Sequence, residues 1–183
     1  MVEIYCGDGK GKTTAGIGLG IRAAGHRIPV LFVQFLKDDS SGEISVLRTI
    51  DGIRLLHPHN FYGFVRNMTE EEKRETRTDY AAMMKQVQDW LKEQRMSWSE
   101  EKGMTDVRAV VILDEVLHAC NFGLLDETAL LDVICGYRDC VEFVLTGREP
   151  SEKLRGEADY ISLIKKQKHP YDIGITARNG IEL

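Results

Sequence analysis

The chain has 183 residues and a mass of 20.7 kDa, with 43% apolar and 29% charged residues, which excludes a collagen, a long coiled coil and a mainly disordered chain. A net charge of −5 argues against a broad basic face for duplex nucleic acid. This length supports a real core, and residues 1–183 are expected to form a single domain.

The chain opens on Met1-Val2-Glu3-Ile4-Tyr5, and Val2 to Cys6 predicts a first strand with no leader-like segment. Thr13 to Ala24 predicts a helix stopped by Gly25. Pro29 to Phe35 is a nearly continuous apolar run, as expected for a strand covered on both faces. A short helix is predicted over Ile44 to Ile50 and a short strand over Ile53 to Leu56. Thr69-Glu70-Glu71-Glu72 offers a capping box for a long helix to about Arg95. On that helix Tyr80, Met83, Met84, Val87, Trp90 and Leu91 share one face at helical spacing, which predicts core packing. Ser97 to Asp106 reads as a polar connector. Val110 to Leu113 predicts a buried strand ending in Asp114-Glu115. Val141 to Leu145 predicts another, ending in Thr146-Gly147-Arg148, and Tyr160 to Ile164 a last one. Buried strands alternating with helices predict an α/β fold with a doubly wound, mostly parallel sheet, whose ligands bind at the carboxyl ends of the strands.

Gly7-Asp8-Gly9-Lys10-Gly11-Lys12-Thr13-Thr14 lies between a predicted strand and a predicted helix, which is the context of a phosphate-binding P-loop. Glycines let backbone N–H groups converge on phosphate oxygens, and the helix N-terminus adds partial positive charge. Lys12 can reach the phosphate chain, Thr13 can ligate Mg²⁺, and Thr14 adds a second hydroxyl. The usual pattern places its leading Gly where this chain has Cys6, so the loop is one residue tighter. Asp114 and Glu115 supply the carboxylates that complete a Mg²⁺ site, with nothing in the sequence to rank them. The chain has no N-K-x-D guanine motif, which favours ATP. Cys6, Cys120, Cys135 and Cys140 form no C-x-x-C pair, so no structural zinc is expected and a reducing cytoplasm is. No apolar run is long enough to span a membrane.

The phosphate loop, Val33-Gln34-Phe35-Leu36-Lys37, Ile112-Leu113-Asp114-Glu115, Leu145-Thr146-Gly147-Arg148, His169-Pro170-Tyr171-Asp172-x-Gly174-Ile175 and Gly180-Ile181-Glu182 occur in this order. Together they resemble the ATP:corrinoid adenosyltransferases of the RecA-like P-loop type. The resemblance implies transfer of the 5′-deoxyadenosyl group of ATP to the Co(I) of a reduced corrinoid, releasing tripolyphosphate, in adenosylcobalamin biosynthesis or salvage. It implies MgATP and a corrinoid as ligands, an electron donor for cobalt, a homodimer, and a nucleotide reversed relative to ordinary P-loop enzymes. Carried over residue by residue, Gly7 to Thr14 hold the triphosphate, and Arg148 is either a further phosphate contact or a surface salt-bridge partner. Lys12, Thr13 and Glu115 carry catalysis, and Thr13, Asp114 and Glu115 face the metal. Gln34 and Lys37 lie at the lip of the site, and His169 is either a structural hydrogen-bonder or a nucleotide contact. Members often carry an N-terminal extension and Phe-Thr-Trp on the corrinoid side. Here the first strand begins at Val2, and the corresponding stretch offers Phe61, Tyr62 and Phe64 as corrinoid-side rings. The alternative is a small-molecule P-loop kinase, with Arg148, Lys153 and Arg155 on a loop that serves as a phosphate-clamping lid.

Overall fold

The computed structural model describes residues 1–38, 40–98 and 107–181. The connector expected over Ser97 to Asp106 falls outside the described residues from position 99 onward, as does Glu182. Six strands form one sheet: β1 (Val2–Cys6), β2 (Val30–Gln34), β3 (Ile53–Leu56), β4 (Ala109–Asp114), β5 (Val141–Thr146) and β6 (Tyr160–Leu163), in the order β3-β2-β4-β5-β1-β6. Every neighbouring pair is parallel. The helices are α1 (Lys12–Gly25), α2 (Gly42–Leu47), α3 (Glu70–Met96), α4 (Val116–Asn121), α5 (Glu127–Tyr137) and α6 (Glu152–Glu157). None of them is long and apolar enough to cross a membrane. This is the doubly wound, RecA-like α/β arrangement, and all four cysteines are free thiols.

Strand alternation divides the core into two layers. Val30, Phe32, Val110, Ile112 and Val144 point toward α1 and α2, where Ala23, Ile44 and Leu47 cover them. Leu31, Val33, Val111, Leu113, Phe143 and Leu145 point the other way, into a larger cluster with Tyr80, Met83, Met84, Val87, Trp90 and Leu91 of α3. The helical stripe read from the sequence is therefore the core face of α3, and Thr69 and Glu72 form its capping box. Every residue of β2 and β4 is buried, as their unbroken apolar runs require. β6 at the sheet edge has all four residues exposed.

Two expectations change. Gly25 lies inside α1, whose C-cap is His26. The left-handed position falls to Arg27 at φ 60°, with Arg27 N–H donating to Ala24 O at 2.8 Å and Ile28 N–H to Ala23 O at 3.0 Å. That is a Schellman motif closed by an arginine. Lys153 and Arg155 stand on helix α6 instead of a loop, and Arg155 Nε donates to Pro150 O at 3.2 Å. Ser151 caps that helix through Leu154 N–H, so local capping, unnoticed in the sequence, orders the segment.

α1 seats closely on β4 because Gly16 and Gly20 face Ile112. A Cβ at Gly20 would lie 2.8 Å from Ile112 Cδ1. Gly20→Ala is expected to forfeit the helix gain of roughly 1 kcal/mol that alanine normally brings. Ile112→Val removes the opposing Cδ1. The double variant is expected to be more stable than the sum of the singles by about 0.5–3 kcal/mol in urea unfolding. Strict additivity would contradict the contact.

Candidate active site

β4 ends at Asp114, whose side chain is fully buried on the α1 face. Gln34 of β2 is its register partner, and Thr146 ends β5 on its other side. Because residues of one parity share a face, Gln34, Asp114 and Thr146 form a polar row across three strand ends. Thr13, in the first turn of α1, lies over it. Thr13 Oγ1 donates to Asp114 Oδ1 at 2.8 Å, and Thr146 Oγ1 donates to the same oxygen at 2.7 Å. Lys37 Nζ donates to Asp114 Oδ2 at 2.9 Å and to Thr13 Oγ1 at 3.2 Å. Burial alone would pull the Lys37 ammonium below the ordinary lysine value. The Asp114 charge and hydrogen bond, with Glu115 and Glu43 beyond, outweigh that and hold it above.

The phosphate loop is shaped by the chain leaving β6. Gly7 has φ 113°, and a Cβ there would lie 2.3 Å from Ile164 O, so only glycine fits. Gly7 N–H donates to Arg148 O at 3.0 Å and Gly9 N–H to Ile164 O at 2.9 Å. Those two amides thus hold the loop to its neighbours. The N–H donors at the start of α1, after the left-handed N-cap Gly11, have no partner within the helix and can face an anion. Lys12 Nζ donates to Gly9 O at 2.8 Å, which folds it back over the loop. Burial pulls the Lys12 ammonium below the usual lysine value, with the Arg148 charge adding to it and Glu115, Asp114 and Asp8 opposing.

Arg148 is exposed, yet its charge is felt by both Lys12 and Asp8. Asp8 points away from the row: the Lys166 N–H donates to its Oδ1 at 2.9 Å and holds its carboxyl below the usual range. Thr14 is exposed beside the loop. Lys10 lines a recess of about 580 Å³ with Gly9, Lys165, Lys166, Lys168 and Arg178, next to His169. His169 itself accepts from Tyr171 N–H through Nδ1 at 3.1 Å, capping the short turn Pro170–Ile173.

Glu115 follows Asp114 in the left-handed region at φ 61°, a strained place for a residue with a side chain. The strain is held by Thr146 Oγ1, which accepts from Glu115 N–H at 2.9 Å, and by the Glu115–His118 hydrogen bond. Burial raises the Glu115 carboxyl, but His118, Lys37 and Lys12 outweigh it and hold it below the ordinary glutamate value. The donor set fits a hard cation: a hydroxyl and carboxylates on one strand end, beside a buried Gln34 whose two amide atoms have no partner.

The stretch that carries Phe61, Tyr62 and Phe64 leaves the carboxyl end of β3. Phe61 and Phe64 are exposed, with the Arg66 guanidinium 5.4 Å from the Phe64 ring centroid. Tyr62 donates its hydroxyl to Glu75 of α3, and the backbone N–H of His59 donates to Asp79 at 2.8 Å. The two phenylalanines are free of the core.

Sequence reasoning gave no function to Thr146, His118 or the Tyr80 hydroxyl. Thr146 had a signal, a polar residue closing an apolar strand. His118 had a weaker one, lying three positions after Glu115. Tyr80 had none: its hydroxyl accepts from Leu36 N–H at 2.8 Å, a contact between elements far apart in sequence.

Removing the Lys12 charge tests the loop. Lys12→Ala is expected to weaken nucleoside-triphosphate binding on the order of 30-fold or more, equivalent to about 2–5 kcal/mol, in an equilibrium titration. Unchanged binding by a folded variant would contradict the assignment.

The family model for the ATP:corrinoid adenosyltransferases BtuR/CobO/CobP matches residues 1–183. The corrinoid adenosyltransferase CobA of Salmonella typhimurium is 30% identical, over 100% of this chain and 85% of its own. A corrinoid adenosyltransferase of Sinorhizobium sp is 29% identical, over 100% of this chain and 79% of its own. That of Escherichia coli K12 is 28% identical, over 100% and 85%. A phosphate loop closed by a strand-end acid is common to many nucleotide enzymes; a match running the length of the chain is not, and by it this protein belongs to the ATP:corrinoid adenosyltransferase family and is an enzyme of that type.

Proposed function

We propose that the protein transfers the 5′-deoxyadenosyl group of ATP to the Co(I) of a reduced corrinoid and releases tripolyphosphate, in adenosylcobalamin biosynthesis or salvage. The observation that carries this reading is the polar row over which α1 begins, with Thr13 bonded to the buried Asp114. In the reaction the cobalt electron pair forms the Co–C5′ bond. The C5′–O bond breaks, and its pair leaves on the triphosphate. The nucleophile belongs to the corrinoid, so the protein's work is to position C5′ and to stabilise the leaving charge.

Gly7 to Thr14 take the triphosphate, with the helix-start amides and Lys12 facing its oxygens and Arg148 a further contact. Thr13, Asp114 and Glu115 are the groups that would hold Mg²⁺, which when bound adds positive charge to the leaving triphosphate. His118 and Thr146 orient Glu115 and Asp114. The exposed Phe61 and Phe64 rings and Tyr62 are the corrinoid-side surface, at a strand's carboxyl end where substrate contacts concentrate. Cobalt reduction requires an electron donor. A homodimer is supported by β6, an open edge strand with Tyr160, Ile161 and Leu163 exposed on it. Four free thiols support a reducing cytoplasm.

The phosphorus products decide the reaction. Incubated with MgATP and a chemically reduced corrinoid, the protein is expected to yield tripolyphosphate in step with adenosylated corrinoid, followed by ³¹P NMR. Formation of ADP would instead indicate phosphoryl transfer.

A further inference from the structure

In a P-loop site the hydroxyl that begins the helix and the carboxylate that ends the acidic strand are the protein groups that face a bound cation. Here those two groups already share one. Thr13 Oγ1 and Asp114 Oδ2 lie 3.2 and 2.9 Å from Lys37 Nζ. The lysine is delivered by the turn after β2. Leu36 takes a left-handed conformation at φ 55°, its N–H held by the Tyr80 hydroxyl at 2.8 Å. Thr13 and Thr146 both donate to Asp114 Oδ1, leaving Oδ2 for the ammonium.

This arrangement neutralises Asp114 but does not complete the row. Gln34, the register partner of Asp114, is 0% exposed, and neither its Nε2 nor its Oε1 has a partner. An ammonium has donors only and cannot serve the Gln34 Nε2 donor. Mg²⁺ dehydrates reluctantly and keeps several waters, which donate, and the ATP phosphates it arrives with bring oxygens that accept. The two partners of the pair also differ in freedom. The Lys37 side chain is 29% exposed while Asp114 is 0%, so the lysine can withdraw and the carboxylate cannot.

We propose that Lys37 is a built-in counter-ion, holding the cation position between Thr13 and Asp114 in the nucleotide-free protein and displaced from it by the divalent cation that arrives with ATP. A divalent cation and an ammonium a few ångströms apart repel strongly in a buried site, so the two occupy the position in turn. Once displaced, Lys37 remains on its tether at the lip of the site, available to the triphosphate. The exchange keeps the buried Asp114 from standing unpaired at any stage, which otherwise carries a heavy cost. The inference rests on the reading that the site works with Mg²⁺.

The test uses the metal alone, with no corrinoid present. Lys37→Gln and Lys37→Met are compared with the parent by thermal unfolding with and without Mg²⁺, and by Mn²⁺ titration followed by EPR. Both variants are expected to melt below the parent in metal-free buffer and to regain most of the difference in Mg²⁺, which moves the parent less. Mn²⁺ is expected to bind the variants about tenfold or more tightly than the parent, because no tethered charge competes. Equal Mn²⁺ affinity in parent and variants would overturn the proposal. So would variants that fail to fold both without and with Mg²⁺, since the cation would then be no substitute for the ammonium. Adding ATP separates the two levels. If the parent binds no Mn²⁺ even with ATP, the metal reading itself fails; if it does and the variants match it, only the inference about Lys37 fails.

Discussion

A carboxylate with no access to water is tolerable only where charge and hydrogen bonds replace its hydration. Asp114 meets that demand with three partners drawn from three places: Thr13 at the start of α1, Thr146 at the end of β5 and Lys37 beyond β2. Each contact fixes a separate part of the site. Thr13 sets where α1 begins and so where the phosphate loop closes. Thr146, while bonded to Asp114, also receives the Glu115 N–H and holds that residue left-handed. Lys37 draws the end of β2 across to the row. The site is thus assembled around one buried negative charge.

Sheet order puts Thr146 between the two halves of the site. The strand that feeds the phosphate loop, β1, and the strand that ends in Asp114, β4, are not neighbours; β5 lies between them. Thr146 is the register partner of Tyr5 in β1, and its hydroxyl reaches the other way, donating to Asp114 and accepting from the Glu115 N–H. On the far side, β6 lies against β1, and the chain leaving it presses Ile164 on the loop. The tight loop follows from that contact: Gly7 and Gly9 are packed against Ile164 and bonded to neighbouring carbonyls, and the anion-facing work passes to the turn that starts the helix.

Much of this was legible in the sequence because it is local. The apolar runs marked the strands, the Thr69–Glu72 pair marked the start of α3, and the Gly-Lys-Thr segment between strand and helix marked the loop. Contacts that depend on the register between strands were not. Lys37 reads as a residue at the lip of the site, but its bond to Asp114 requires β2 and β4 to be neighbours with Gln34 opposite Asp114. Short α4 and α6 carry too few residues for a periodic pattern. The end of α1 misled for a different reason: glycine usually takes the left-handed closing position, and here Arg27 takes it two residues later. Phe61 and Phe64 were singled out by the resemblance alone, since no apolar periodicity surrounds them, and the fold leaves both rings exposed.

In the proposed reaction the bond broken in ATP is the one to C5′, with the phosphates as leaving group and cobalt as acceptor. ATP carrying ¹³C at C5′ tests it most directly. After a single turnover with the reduced corrinoid, the label is expected in the corrinoid fraction, bonded to cobalt, in one-to-one proportion to the corrinoid consumed. Label remaining in a nucleotide that still carries phosphate on its 5′ oxygen would contradict it.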